Sequence, residues 1–307
     1  MKLNTLFSTT IMVASMLAAT SCGSSNNNAE QPPLPVATAV CEGVTTLEID
    51  SATTLITLRD NAEPSTQPNR LFYGKDNKDS AKVEQLSPSG SVPSSIHAFL
   101  VKKDNKLALF DTGNGIDKGG KLLSRLDSAG YGPENIDYII LTHMHGDHIG
   151  GLLNGDSVVY ARAEVFVPQV ECQYWLSQSN GNGQLAARVV DAYGSRLHQF
   201  SFTDTTALPL GIRAMAAIGH TPGHSVYSVS GNRLLITGDL IHGYDLQCRD
   251  MNISPSYDIN PEQAAHARKF FYSLASRKHS IIAGMHLPGN GVLIEVEPVQ
   301  EMEMQAE

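Results

Sequence analysis

Short apolar runs alternate with polar breaks along the chain, and the breaks decide what each run becomes. Residues 46–58 and 95–111 carry strand-like runs. Ser95-Ile96-His97-Ala98-Phe99-Leu100-Val101 and Leu107–Phe110 flank the polar stretch Lys102–Lys106, which predicts a hairpin. Residues 61–94 are polar, contain Pro64, Pro68, Pro88 and Pro93, and predict a long loop. Leu122, Leu123 and Leu126 fall on one face of a helix over Lys121–Ala129. Ile136–Thr142 reads as a buried strand, and Ile149-Gly150-Gly151-Leu152 as a tight turn into a helix. Strand patterns return at Val158–Ala161 and Glu164–Val167. Residues 169–178 and 184–197 read as helices separated by Gly181-Asn182-Gly183. Ile212–Ile218, Val226–Val229 and Leu234–Thr237 then predict strands. Asn260-Pro261-Glu262-Gln263 opens a helix that runs to about Arg277, with an N-cap, proline at the first helical position and a glutamine placed for a capping box. Ile281–Ala283 and Val292–Val296 complete the strands. Strands and helices thus alternate in two batches, one before residue 168 and one after 203. The expected class is α/β, a layered sheet core covered by helices.

The chain has 307 residues, 41% of them hydrophobic, enough for one large domain or two small ones. The net charge of −9 argues against nucleic acid as a partner, because phosphate binding needs a basic surface. The N-terminus reads separately from the fold. Met1-Lys2 precedes an apolar run, Leu6 to Ala19, too short to span a membrane. Ala19-Thr20-Ser21-Cys22-Gly23 resembles a bacterial lipoprotein signal, in which Cys22 carries the lipid; a plain secretory signal is the alternative. Residues 1–21 are therefore expected to be a signal peptide and 22–45 a flexible tether, rich in Ser, Asn and Pro. The expected location is outside the cytoplasm of a bacterium, as an outer-membrane lipoprotein or in the periplasm. A single folded domain is expected over 46–298, and the acidic tail 299–307 reads as disordered. Cys41, Cys172 and Cys248 are too scattered for a disulfide framework, and none has CxxC spacing.

The densest chemistry is His143-Met144-His145-Gly146-Asp147-His148, three imidazoles and a carboxylate in six residues, directly after a buried strand. Nitrogen and oxygen ligands of this kind suit zinc and other borderline metals. Four candidates exceed the three that one open catalytic zinc usually takes, so two metals are the natural reading. Three later segments repeat a strand ending in a candidate ligand: Gly219-His220-Thr221-Pro222-Gly223-His224, Gly238-Asp239-Leu240-Ile241-His242 and Gly284-Met285-His286-Leu287-Pro288. A lone strand-end histidine is more often structural; three such ends added to the six-residue string are not coincidence.

These motifs together resemble the metallo-β-lactamase superfamily over roughly residues 46 to 298. The resemblance implies a four-layer αβ/βα sandwich, two mixed sheets flanked by helices, with a dinuclear centre at one edge. It implies that His143, His145 and His220 hold one metal, that Asp147, His148 and His286 hold the other, and that Asp239 bridges them. The broad-spectrum zinc β-lactamases carry cysteine where this chain has Asp239; bridging aspartate is similar to the lactonase, glyoxalase II and phosphotriesterase branches. Only about twenty residues follow His286, which disfavours the glyoxalase II type with its C-terminal helical domain. Asp111-Thr112-Gly113, Leu141–His145, Gly238–His242 and Ala283–Pro288 look like the N-acyl-homoserine lactonase and methyl-parathion-hydrolase group. Several lactonases place a tyrosine three residues after the bridging aspartate, whereas this chain has His242 there.

The expected activity is hydrolysis of a lactone or carboxylic ester, an N-acyl-homoserine lactone among them, by a metal-bridging hydroxide. Two divalent ions, zinc foremost, contribute four positive charges, and Asp147, Asp239 and hydroxide remove three. The remaining charge stabilises an anionic tetrahedral intermediate. Asp147 is also expected to orient the nucleophile, and His242 to contact substrate or simply to pack. The alternatives are a phosphotriesterase or aryl esterase, a β-lactamase, and a non-catalytic sensor on the same scaffold. The expected partners are a small-molecule substrate and the membrane through Cys22; the oligomeric state is open. Residues 169–200, with Tyr174, Trp175, Tyr193 and Phe200, read either as an apolar lid or as helix core. Asp111 is expected to support the 143–148 loop, His224 to be structural, His97 to lie in the core or at its rim, and His198, His266 and His279 to lie on the surface.

Overall fold

The computed structural model describes residues 35–204 and 208–298. The expectations for residues 1–34, including the signal and Cys22, and for the tail 299–307 lie outside the described residues. Among the described residues no helix is long and apolar enough to cross a membrane.

The strands run in chain order as β1 (Thr38–Cys41), β2 (Val44–Asp50), β3 (Thr53–Arg59), β4 (Ser65–Pro68), β5 (Ser91–Ser94), β6 (His97–Lys103), β7 (Lys106–Phe110) and β8 (Tyr138–Ile140). They continue as β9 (Leu153–Asn154), β10 (Ser157–Val158), β11 (Glu164–Pro168), β12 (Leu197–Phe200), β13 (Arg213–Ala216), β14 (Ser225–Val229), β15 (Leu234–Ile236), β16 (Ile281–Ala283) and β17 (Val292–Leu293). The helices are α1 (Ser80–Leu86), α2 (Leu122–Ser128), α3 (Gly146–Ile149), α4 (Gln169–Leu176), α5 (Gly181–Tyr193), α6 (Tyr244–Gln247) and α7 (Pro261–Lys278). One mixed sheet has the order β1-β2-β3-β6-β7-β8-β11-β12, and a second has β13-β14-β15-β16-β17. The pairs β7–β8, β8–β11 and β15–β16 are parallel, so their chain ends point the same way within each sheet.

Side-chain alternation makes the layers. Along β6, Ala98 and Leu100 face α2, α4 and α5, while Phe99 and Val101 face the second sheet. Along β7, Leu107 and Leu109 take the helical side, and Ala108 and Phe110 the inter-sheet side. The inner layer is closed by Tyr227, Val229, Leu234, Ile236, Ile281 and Ala283. The far face of the second sheet packs on Ala267, Phe271, Tyr272 and Ala275 of α7. Helices, sheet, sheet, helix: the expected four-layer sandwich is the observed one. The α7 cap also follows its sequence signal, because the Asn260 side chain accepts a hydrogen bond from the Gln263 backbone N–H.

Three expectations need correction. The tether expected over 22–45 does not hold for 38–45, because β1 and the start of β2 place those residues in the sheet. β1 is an exposed edge strand with no alternation of burial, so it leaves no hydrophobic signal. Residues 61–94 are not a plain loop. They form the β4–β5 ribbon and α1, with Phe72, Val83 and Val92 packed on Leu246 and Ile253. Those partners lie more than 150 residues away in sequence, where local pattern cannot see them. The helix expected after Leu152 is also absent: α3 lies inside the histidine motif, a 3-10 turn covers Gly150–Leu152, and β9 follows.

Gly150 and Gly151 show why that turn is so tight. A Cβ on Gly150 would lie 2.2 Å from the Asn114 carbonyl oxygen, and one on Gly151 would lie 2.0 Å from that of Thr112. The loop after β7 thereby locks against the histidine loop after β8. Gly151→Ala is expected to lower folding stability by about 1–3 kcal/mol through overpacking, seen as an earlier urea midpoint with unchanged slope. An unchanged midpoint would show that the two loops are not in forced contact.

Candidate metal centre

The ligand candidates sit on loops at strand ends of both sheets. The loop after β8 carries His143, His145, Asp147 and His148; the turn between β13 and β14 carries His220; the loops after β15 and β16 carry Asp239 and His286. All seven converge. His143 Nε2, His145 Nδ1 and His220 Nε2 are 2.9, 3.0 and 3.2 Å apart. His148 Nε2 and His286 Nε2 lie 3.7 and 3.4 Å from the Asp147 oxygens. Asp239 stands between the sets: its Oδ2 is 3.6 Å from His143, 3.3 Å from His220 and 3.2 Å from His286, and its Oδ1 is 3.2 Å from His148. His143, His145, His220 and Asp239 form one group able to hold a cation, and Asp147, His148 and His286 another.

The outer nitrogens fix what the inner ones present. His220 Nδ1–H donates to Asp258 at 2.8 Å, His148 Nδ1–H to Asp111 at 2.6 Å and His286 Nδ1–H to the Ser95 carbonyl at 2.9 Å. The Thr142 hydroxyl donates to Asp111 at 2.6 Å, so it accepts from His143 Nδ1–H at 3.1 Å. In the neutral form, four histidines thus aim lone pairs inward. Lone pairs at such distances repel unless a proton or a cation sits among them. Zinc bonds of about 2.0–2.1 Å in a tetrahedron put ligand nitrogens about 3.3 Å apart, close to what is seen. His148 Nε2 and Asp239 Oδ1 are buried with no hydrogen-bond partner, the signature of atoms kept for a cation. The residues fit a metal.

Electrostatics agrees. Burial opposes charge on His148, but Asp239, Asp147 and Asp111 outweigh it and lift its pKa well above the ordinary value. For His220, hydrogen bonds to Asp239 and Asp258 overcome burial and raise it to about 9. His286 reaches about 10 because Asp239 and Asp147 likewise outweigh burial. Burial and the neighbouring imidazoles hold His143 well below its usual range and His145 at about 3. Asp239 stays ionised despite burial, drawn down by the surrounding histidines.

The other expected residues fall into place. Asp111 supports the loop as expected, accepting from the Thr142 N–H at 2.7 Å as well as from the Thr142 hydroxyl and His148. It does so in a left-handed backbone conformation, φ 60°, which aspartate tolerates better than most residues. His224 is structural: it contacts the Ala217 carbonyl through Nδ1, and its Nε2 accepts the Asp239 N–H at 2.9 Å. His242 is buried, with Nε2 2.9 Å from Asp239 Oδ2 and its ring stacked on His286. His97 is buried beside Phe99; His198, His266 and His279 are exposed, His198 against Glu164. The aromatics of 169–200 are core rather than lid: Trp175 and Tyr193 pack in the helical layer, and Phe200 packs between the sheets. Cys41, Cys172 and Cys248 are free.

Sequence reasoning missed three groups. Asp258 braces His220 and lies 3.5 Å from the buried Arg268 guanidinium. Tyr257 packs its ring 4.8 Å from His242 and donates its hydroxyl to Gln67 of β4. Glu171 is a buried carboxylate between two ligand loops. A charged residue on the apolar face of α7 is the signal that could have found Arg268, the partner of Asp258.

Such a fold with such a site defines the metal-dependent hydrolase class. Residues 92–286 match the family model of the metallo-beta-lactamase superfamily, and the chain belongs to that superfamily. It is 30% identical over 148 residues to the probable metallo-hydrolase YybB of Bacillus subtilis (strain 168), a match covering 47% of this chain and 61% of that protein. The probable metallo-hydrolase YqgX of the same organism is 29% identical over 152 residues, 48% of this chain and 67% of that one. Among solved structures, the hydrolase AbOPH of the beta lactamase superfamily superposes with a TM-score of 0.73 at 25% identity, covering 81% of this chain and 92% of that one. The fold is shared equally with AidC, a dizinc quorum-quenching lactonase solved in complex with a product, at TM-score 0.73, 24% identity, and 85% and 99% coverage. Family and side-chain groups together support divalent metal binding.

Two predictions follow from this geometry. Asp111→Asn is expected to weaken metal affinity roughly 10–100-fold, measured by chelator competition, because its NH2 must face either the Thr142 N–H or the pair formed by the Thr142 hydroxyl and His148 Nδ1–H, none of which can accept it in the braced arrangement; wild-type affinity would refute the bracing role. Metal loading near neutral pH is expected to acidify a weakly buffered solution. His148, His220 and His286 hold protons in the metal-free protein and lose them to the ion, so affinity falls as pH falls. A constant pH on loading would show these rings already neutral.

Proposed function

We propose that this protein is a dinuclear metallohydrolase acting on lactones or carboxylic esters, with zinc the first metal to test. The observation that carries the reading is Asp239, whose carboxylate lies within 3.6 Å of ligand atoms from both groups. On this reading His143, His145 and His220 would hold one ion and Asp147, His148 and His286 the other, with Asp239 placed to serve both. When bound, the ions supply Lewis acidity toward the substrate oxygen and ready ionisation of water near neutral pH.

The chain's own groups then divide the work. Hydrolysis adds water across the acyl C–O bond, so a proton leaves the attacking water and the departing alkoxide oxygen takes one up. Asp147 is suited to orient that water: its side chain is 28% exposed, and His148 and His286 hold its carboxyl well below the usual range, so it stays ionised and accepts a hydrogen bond. His242 is held neutral, near pKa 4, by burial. Its Nε2–H orients Asp239, and its buried Nδ1 has no partner, which leaves an acceptor for a substrate N–H or a water.

Lactones come first because the motif likeness points to that group and because AidC, which shares the fold, is itself a lactonase. Zinc-loaded protein is expected to release protons on addition of a long-chain N-acyl-homoserine lactone, with His220→Ala losing at least about a hundredfold in rate. Turnover unaffected in His220→Ala would sink the metal-dependent reading. No release from metal-loaded wild type would remove lactones and move aryl esters and phosphotriesters forward; nitrocefin cleavage would favour the β-lactamase alternative.

A further inference from the structure

Glu171 lies in the first turn of α4, fully buried, yet it is neither a ligand candidate nor part of an ion pair. Its carboxylate accepts four hydrogen bonds. Oε1 takes the Met144 backbone N–H at 2.9 Å and the Trp175 indole N–H at 2.6 Å. Oε2 takes the Thr221 hydroxyl at 2.7 Å and the Gly223 backbone N–H at 2.8 Å. Met144 stands between His143 and His145, and Thr221 follows His220. One oxygen therefore holds the first histidine loop, and the other holds the second. Burying a carboxylate is costly unless it is fully hydrogen-bonded, so the group is kept for what it joins. The His220 loop approaches α4 so closely that a Cβ on Gly223 would lie 2.6 Å from the Glu171 backbone nitrogen. Trp175 closes the arrangement, its ring centroid 5.1 Å from that of His145.

We propose that Glu171 is a positioning residue, a clasp that sets the distance between the His143–His145 loop and the His220 loop and so the metal affinity of the three-histidine half. The inference rests on the reading that this half holds a metal. Glu171 touches no substrate and belongs to neither ligand group.

The chain supplies its own probe, because Trp175 is its single tryptophan and lies against His145 and Glu171. Full-length protein stripped with chelator would be titrated with cobalt(II), following tryptophan quenching and total cobalt bound. Wild type is expected to quench as the three-histidine half fills and to bind a second ion with little further quenching. Glu171→Gln keeps one acceptor oxygen but turns an NH2 toward one loop, where a backbone N–H cannot accept it. Its quenching midpoint is expected to move to at least about tenfold higher free cobalt, with the second ion moving less. Thr221→Val deletes a single donor, is expected to shift the midpoint less in the same direction, and decides the matter should Glu171→Gln fail to fold. Lower thermal stability with unchanged quenching midpoints overturns the clasp and leaves the metal centre standing. Equal weakening of both ions overturns it as well. A wild-type chain that binds no cobalt overturns the metal-centre reading itself, and the clasp with it.

Discussion

A single buried carboxylate organises this molecule. Asp239 is 3% exposed and lies within 3.6 Å of nitrogens from His143, His148, His220, His242 and His286. An isolated charge at that depth would be ruinous, and so would the four unpaired lone pairs of His143, His148, His220 and His286. Together they demand positive charge, in protons or metal ions, and the surrounding structure is arranged to keep that demand in place. His224 holds the Asp239 backbone from behind. Asp111, Asp258 and the Ser95 carbonyl fix the outer nitrogens of His148, His220 and His286. Without these braces the rings could turn and satisfy Asp239 as ordinary hydrogen-bond donors.

The sandwich is what brings the braces to one place. β8 of the first sheet and β15 and β16 of the second all end at the centre, and binding at the carboxyl ends of parallel strands is the general habit of α/β sheets. Each sheet contributes ligands to both groups: His143, His145, Asp147 and His148 come from one, His220, Asp239 and His286 from the other. The inter-sheet core of Phe99, Phe110, Tyr227 and Ile236 thereby becomes part of the metal geometry. Slippage between sheets would separate the two halves of every ligand group.

Legibility in the sequence followed the range of the signal. The string His143–His148 and the strand-end Asp239 and His286 could be read locally, because each ligand comes with its own strand and turn. The layers could be read because alternation in β6 and β7 is local too. Asp258 could not: it precedes a helix cap, where an acid is unremarkable, and its partner His220 is 38 residues away. Glu171 resembles a helix-dipole acid until the fold shows it buried. The ribbon and helix of 61–94 have polar faces, and their apolar cluster closes only on Leu246 and Ile253. The aromatics of α4 and α5 read equally as lid or core because composition does not distinguish a covered face from an open one.

The two halves of the centre are not alike, and the difference gives the site a direction. His143 and His220 are sealed, with Trp175 against His145 and Glu171 fastening the loops behind. The other half includes Asp147, the most exposed carboxylate of the set, on the short helix α3. The three-histidine half has its two loops fastened through Glu171, although His145 is partly exposed, as Asp147 is. The other half has the more accessible carboxylate, which His148 and His286 keep ionised. Beside Asp239 lies His242, covered by Tyr257, whose hydroxyl is held by Gln67 from the 61–94 segment. That segment also grips the loop carrying Tyr257 through the Ser256 N–H bond to the Leu71 carbonyl. The part of the chain least legible in sequence is thus the part that shapes the wall beside Asp239 and His242. This is where loop-built specificity belongs in a rigid layered scaffold.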